Sequence, residues 1–263
     1  MFHKPDTASP QPQPGDSYVQ SFARGLEVIR TFSAQAPQQT LSQVAERSGL
    51  SRAGARRILL TLQTLGYVQS DGKLFRLTAR ILDLGFAYLS SMPIWNVAEP
   101  VMEELVEQLK ESCSAAVLDG TDIVYVLRVP THKILRNALG IGSRLPAYCT
   151  SLGRVLLADF PDEELVRRLQ VSNRRPLTRH TVTSIDALIA KIEQVRKQGW
   201  CLANQELEEG LLSVAAPITN RAGRVIAALN ISGQANRTNA RAAQDILLPA
   251  LLQSARRISQ MLP

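Results

Sequence analysis

The chain has 263 residues, a net charge of +7 and 45% hydrophobic residues, enough for roughly one or two domains with real cores. No apolar run reaches the ~20 residues that a membrane-spanning helix needs. The opening MFHKPDTASPQPQPGDS has no apolar stretch of the secretory kind, so a cytoplasmic protein with no membrane partner is expected. Cys113, Cys149 and Cys201 are widely spaced and form no CxxC pair, which fits reduced thiols better than disulfides or a zinc knuckle.

Residues 1–17 are rich in Pro and Gln and read as a disordered tail. Phe22, Leu26, Ile29 and Phe32 then recur at helical spacing. Thr40 stands three residues before Gln43, the pattern of a capping box, and Leu41, Val44 and Ala45 point inward from the helix it starts. Gly49 is placed as a left-handed C-terminal cap, and Ser51 caps the next helix.

On that third helix Ala55, Ile58, Leu59, Leu62 and Leu65 share one side. Arg52, Arg56, Arg57, Thr61, Gln63 and Thr64 share the other, and no acid occurs from Ser51 to Gly66. Leu60 is a misfit on the cationic side, and Gly54 costs about 1 kcal/mol against Ala inside a helix. GYVQSDGKLFRL follows, two alternating runs about Asp71-Gly72, a strong hairpin signal. The order helix, helix, tight turn, helix, hairpin over 18–78 predicts a winged helix-turn-helix.

Thr78 can cap a further helix ending at Pro93, and 79–95 reads as a linker helix. Residues 96–263 read as an α+β domain, a sheet flanked by helices. Its strand candidates are CSAAVLDG, IVYVLRV, KILRNALGI, GWCLANQ, LLSVAAPI and RVIAALNIS. Its helix candidates are VAEPVMEELVEQLKES, CTSLGRVLLADF, PDEELVRRLQ, SIDALIAKIEQVRKQG and a last one near 238–260.

Arginine paired to guanine is the commonest specific contact in the major groove, and it also neutralises phosphate. The expected DNA-facing set is Thr40, Ser51, Arg52, Ala53, Arg56, Arg57 and Gln63, with Lys73 and Arg76 of the wing on the flanking backbone. The plainer alternative is a solvated helix on an ordinary bundle. In GIGSRLPAYCTSLGRVLLA, Cys149, Thr150 and Ser151 sit where a helix begins, a ready place for an anionic oxygen or plain N-capping.

Cys149 at that start could have a lowered pKa and act as a nucleophile. His3, His132 and His180 are the only imidazoles, and no GxSxG, HExxH or paired-carboxylate pattern occurs. No catalytic residue is therefore expected. His180 and Cys201 lack metal-ligand spacing, so no metal and no cofactor is expected. ELEEG, Glu206–Gly210, reads most simply as a solvated turn, although one carboxylate could close a pocket.

RGLEVIRTF, LSQVAERSGLSRAGARRILLTLQTLGYV and the wing, with GSRLPAYCTSLGRVLLA, GLLSVAAPI and ALNISG downstream, resemble the IclR family of bacterial transcriptional regulators. The resemblance runs from about Tyr18 to the C-terminus and is closest to the PcaR/PcaU/PobR branch, which regulates aromatic-acid catabolism. It implies a winged helix joined by a linker helix to a GAF-like α/β effector-binding domain. It implies a homodimer or dimer of dimers on double-stranded operator DNA, with RNA polymerase as a further partner. It also implies a small carboxylate effector such as protocatechuate, 4-hydroxybenzoate or β-ketoadipate. Carried over by motif, Asn137, Leu145, Ser151, Leu152, Ala203, Leu211, Ser213, Asn230 and Ser232 would line its pocket, and Thr150 joins them as the residue that starts the helix. Ala203 stands where many members have an acid, and Asn230 where many have Ser. An alternative is a winged-helix protein whose C-terminal domain serves only assembly or partner binding.

Overall fold

The computed structural model describes residues 15, 18–91, 94–131 and 139–262. The tail 1–17, apart from Gly15, lies outside them, as do His132, Asn137 and the helix stop at Pro93. The chain divides into two compact units between Tyr88 and Leu89, inside the stretch 79–95.

The first unit opens with α1 (Gln20–Arg30), β1 (Gln39–Thr40), α2 (Leu41–Ser48) and α3 (Arg52–Thr64), then the hairpin β2 (Val68–Ser70) and β3 (Leu74–Leu77). The capping box at Thr40 is present: its side chain accepts from Gln43 N–H, and the Gln43 side chain accepts from Thr40 N–H. Gly49 has φ +66°, which lets α2 end and the chain turn at once into α3. Ser51 Oγ accepts from Gly54 N–H at 3.1 Å. A Cβ on Gly54 would lie 3.2 Å from that oxygen, which accounts for a glycine at this costly position. Nothing in the structure explains Leu60.

Val28, Val44, Ala45, Ala55, Leu59, Leu62 and Val68 form the core, with Leu41 and Ile58 packed on it half-buried. Burying a side chain such as Leu59 contributes about 1.5–3 kcal/mol. The apolar spacing on α1 is there, but its N-terminal half is uncovered: Phe22 is 68% exposed, and Val28 is the residue α1 buries. Leu65 is also exposed, because α3 ends at Thr64 and Leu65 is its C-cap. One strand was not anticipated: β1 pairs with β3, making a three-stranded sheet ordered β1-β3-β2. Asp71 Oδ1 accepts from the N–H groups of Lys73 and Leu74 and closes the hairpin turn.

A single 3-10 turn, Ala79–Ile81, capped by Thr78, leads into α4 (Leu82–Ser90), which buries none of its residues. The second unit continues with α5 (Ile94–Leu109), β4 (Ser112–Asp119), β5 (Asp122–Val129) and β6 (Arg144–Pro146). Then follow α6 (Ser151–Leu157), α7 (Asp162–Val171), α8 (Ile185–Gln198), β7 (Cys201–Asn204), β8 (Leu211–Thr219) and β9 (Val225–Gln234). The short α9 (Ala240–Ala242) passes through a π turn into α10 (Leu248–Met261).

The strands make one antiparallel sheet ordered β6-β5-β4-β9-β8-β7. One face is covered by α5 and α10, the other by α6 with α7 and α8. This is the α+β arrangement expected. The strand expected at KILRNALGI is not found where it is described: Leu139–Ile141 lie outside any strand, and 132–138 lie outside the described residues. The edge strand is β6, a little further on, because Gly142 at φ +85° turns the chain to pair Arg144–Pro146 with β5.

Candidate functional site: a cationic helix and a hydroxyl-lined pocket

In the first unit the core-facing side of α3 fixes what the other side presents. Arg52, Ala53, Arg56, Arg57 and Gln63 are exposed. Among the described residues no carboxylate pairs with Arg52, Arg56 or Arg57, whereas Arg30 on α1 is held by Glu27. Three uncompensated guanidiniums on one short helix make a local positive field suited to phosphate and to base edges. Ser51 uses its oxygen as the helix cap and keeps its O–H free to donate. Thr40 is half-buried, and its hydroxyl is taken up in the capping box, donating to Gln43 Oε1 at 3.0 Å. Lys73 and Arg76 are exposed on the hairpin, with Arg76 opposite Gln69.

In the second unit a cavity lies between the sheet and the start of α6. Thr150, Ser151, Leu152, Ala203, Leu211, Ser213, Asn230 and Ser232 all line it. Leu145, half-buried on β6, does not, and Asn137 lies outside the described residues. Cross-strand register explains the gathering. Ser213 pairs with Ser232 and with Ala203, and Asn230 lies one same-face step from Ser232.

Their side chains form one network. Ser151 and Ser213 hydroxyls meet at 2.7 Å. Asn230 Nδ2 donates to Ser213 and Ser232, each at 2.9 Å. Its Oδ1 accepts from Ser114 N–H at 3.1 Å, which fixes the amide's orientation. Thr150 caps α6 through Gly153 N–H. A Cβ on Gly153 would come within 2.2 Å of the Ala147 carbonyl oxygen, so only glycine lets α6 sit this close to the preceding turn. The space among the lining residues is about 30 Å³. A cavity known to take benzene is about 150 Å³, so an aromatic ligand enters only as the lining parts.

Two lining residues escaped the sequence reading, Tyr125 and Leu207. Of the two readings of ELEEG, Glu206 overturns the solvated turn and fits the carboxylate that borders a pocket. It is 5% exposed and meets the Arg154 guanidinium with both oxygens. Arg154 Nε also donates to the Tyr148 carbonyl. Burial works against the Arg154 charge, and Glu206 more than offsets it, so its pKa lies above the usual arginine value. An arginine inside the apolar run SLGRVLLA was the signal that an acid had to be buried with it.

Cys149 also lines the cavity, without the lowered pKa that the nucleophile reading needs. Burial pushes its thiol up to about 11, and the neighbouring Arg154 charge does not reverse this. Cys201 is likewise pushed up to about 11 by burial. His180, which lacks ligand spacing to Cys201, is exposed and accepts from Arg179 Nε. Among the described residues no cluster of three or more metal-ligating side chains occurs, and no helix is long and apolar enough to cross a membrane.

A helix-turn-helix with an exposed arginine face, followed by a separate α+β unit around an internal polar pocket, defines a transcriptional regulator that binds DNA. The IclR helix-turn-helix domain matches residues 21–72 and the bacterial transcriptional regulator IclR C-terminal domain matches 86–260. The chain belongs to the IclR family.

It is 41% identical to the Pca regulon regulatory protein of Pseudomonas putida, over 93% of this chain and 84% of that one. A solved transcriptional regulator from Rhodococcus sp. RHA1 is 49% identical, with a TM-score of 0.84 over 92% of this chain and 98% of the other. A double mutant of the Acinetobacter PobR inducer-binding domain, solved with 3-hydroxybenzoic acid, is 31% identical, with a TM-score of 0.59. It covers 62% of this chain and 96% of that one.

Proposed function

We propose that the protein is a cytoplasmic regulator of aromatic-acid catabolism that senses a small carboxylate in the pocket beside α6 and answers through its grip on operator DNA. The observation that carries this reading is the convergence of Thr150, Ser151, Ser213, Asn230 and Ser232, from α6, β8 and β9, on one internal cavity. Buried hydroxyls and an amide held this way fix a ligand's polar atoms while apolar neighbours such as Leu152 and Leu211 take its body. The likeness to the PobR inducer-binding domain, solved with an aromatic acid, supports the ligand class. The name of the P. putida relative supports the regulon.

Arg52, Arg56 and Gln63 then face bases in the major groove. Arg57, Ser51, Lys73 and Arg76 meet phosphates. Thr40 and Ala53 border the same surface. The protein works as a homodimer, which sets two α3 helices about 34–36 Å apart in successive major grooves. Phe22, Leu26, Ile58, Leu65 and Leu84 line a large apolar groove in the first unit, and a second copy of the chain would cover it. A ligand shifts DNA affinity, or contact with RNA polymerase, only by as much as it prefers one conformation over the other.

Thermal-shift screening against protocatechuate, 4-hydroxybenzoate and β-ketoadipate tests the sensor. Stabilisation by one of them that Ser151→Leu abolishes supports it. A flat response to the whole panel sinks it and leaves an assembly role for the second unit. Sedimentation of Phe22→Glu tests the dimer, which that charge should weaken.

A further inference from the structure

We propose that Tyr125, in the pocket lining, and Arg128, on the same strand β5 but outside that lining, form the anion-reading end of the site once the lining parts: Arg128 takes the effector's carboxylate and the Tyr125 hydroxyl donates to it. The Ser151, Ser213, Asn230 and Ser232 cluster then meets the ligand's uncharged polar group. This deepens the sensor reading above and rests on it.

The first observation is a hydroxyl without a hydrogen-bond partner on a buried residue. Tyr125 is 5% exposed and lines the cavity. Among the described residues its hydroxyl makes no hydrogen bond, while Tyr148 beyond it donates to the Arg175 carbonyl at 2.5 Å. A phenol on the wall of a cavity with its O–H unused is complementary to an oxygen that arrives from outside.

The second observation is an unpaired guanidinium. Arg128 is half-buried. It takes part in no ion pair or hydrogen bond among the described residues, whereas Arg154, Arg144 and Arg196 in the same unit are all held by carboxylates. Arginine presents the fork that carboxylates fit best.

The third observation is a β-bulge that brings the two together. Three residues apart in a regular strand, Tyr125 and Arg128 would point to opposite faces. Between Ala115 and Ala116 the β4–β5 register shifts, so Ala116 faces Tyr125 while Ser114 faces Arg128. Val126 is the extra residue, and it packs with Leu127 into the core beneath α5 and α10. Both Tyr125 and Arg128 are thereby turned to the face of the sheet that carries the pocket, the usual service of a bulge beside a site. Ser114 lies between Arg128 and the pocket's Asn230 in the ladder. Burial pushes the Tyr125 phenol up and the Arg128 charge pulls against it, which places the two within electrostatic reach.

Charge argues for the same orientation. Glu206 lines the pocket near α6 and brings a negative charge, already satisfied by Arg154. The two charges cancel there, so a carboxylate gains little beside α6, whereas the Arg128 charge on β5 has no ion-pair partner among the described residues.

The test is calorimetric titration of the full chain with 4-hydroxybenzoate and with its neutral analogue 4-hydroxybenzamide. Arg128→Gln should weaken the acid at least tenfold and leave the amide within about twofold. Arg128→Lys should keep part of the preference for the acid, and Tyr125→Phe should weaken the acid severalfold. Unchanged acid binding by Arg128→Gln overturns the proposal while leaving the sensor reading intact. Equal loss of acid and amide in both arginine variants also overturns it, because the role is then structural. A wild type that binds neither compound, nor any other aromatic acid, removes the sensor reading and the proposal with it.

Discussion

Arg154 on α6 and Glu206 in the β7–β8 loop form a two-point ion pair, 2.6 and 2.5 Å long, with 1% and 6% of their side chains exposed. The pair ties the helix that starts at the pocket to the loop that borders it. Glu206 also accepts from Val182 N–H, so the segment before α8 is held as well. Removing one partner leaves a buried charge without its counter-ion, which costs about 3–5 kcal/mol. Glu206→Ala should therefore lower the stability of the second unit by that order in urea unfolding. A change within experimental error would show that the pair is solvated in solution.

Arg56→Ala should weaken specific operator binding by about 1–3 kcal/mol, the loss expected of a bidentate base contact. Arg57→Ala should weaken specific and non-specific DNA alike and reduce the salt slope by about 1. Mobility-shift titrations at several salt concentrations separate the two. Identical behaviour of both variants would mean that Arg56 meets only the backbone.

Gly153→Ala places a methyl where the Ala147 carbonyl already stands. Backbone cannot step aside as a flexible side chain can, so a cost of about 1–3 kcal/mol or more is expected. Thermal unfolding of the variant reads it directly. An unshifted transition would mean that α6 sits further from the turn than described.

The thiols of Cys149 and Cys201, pushed up to about 11 by burial, should stay protonated and unreactive near pH 8. Cys113 is fully buried and shifted in the same direction. Iodoacetamide should label none of the three before denaturant is added. Rapid labelling of Cys149 in the native protein would reopen the nucleophile reading.

The Asp71 carboxylate is held below its ordinary value of 3.8, first by the Leu74 N–H and then by that of Lys73. A depressed carboxylate stabilises the folded turn above its unfolded pKa, and that stabilisation is lost as pH falls through the folded value. The amide resonances of Lys73 and Leu74 should titrate with a midpoint below 3.8. A midpoint at or above that value would mean that the turn does not use the carboxylate.

Local signals made the first unit readable. Thr40 with Gln43, Gly49, Ser51 and Asp71-Gly72 each specify a backbone event within four residues, and the structure has a cap or turn at each. Signals that depend on distant partners were silent. Glu206 in ELEEG looked like part of a solvated acidic run because Arg154, its reason for being buried, lies 52 positions away. Arg128 was not singled out, because nothing in IVYVLRV marks the bulge at Val126 that turns it to the pocket face. The uncovered Phe22 kept its helical spacing, but spacing cannot say which neighbour the stripe meets. The resemblance to the family supplied most of the pocket lining; cross-strand register brings Ala203, Ser213, Asn230 and Ser232 side by side, and the Ser151–Ser213 contact joins α6 to them.

The Ser213 oxygen accepts from Asn230 Nδ2 and from the Ser232 hydroxyl, which leaves its own proton for Ser151. The relay from Asn230 to Ser151 therefore runs one way, and Ser151 keeps an O–H to offer a guest. A corner that gives a proton welcomes a ketone or an ether oxygen and has less hold on a group that only gives. Asn230 sets that direction, so drift at this one amide would be enough to retune descendants of this sensor to a new nutrient.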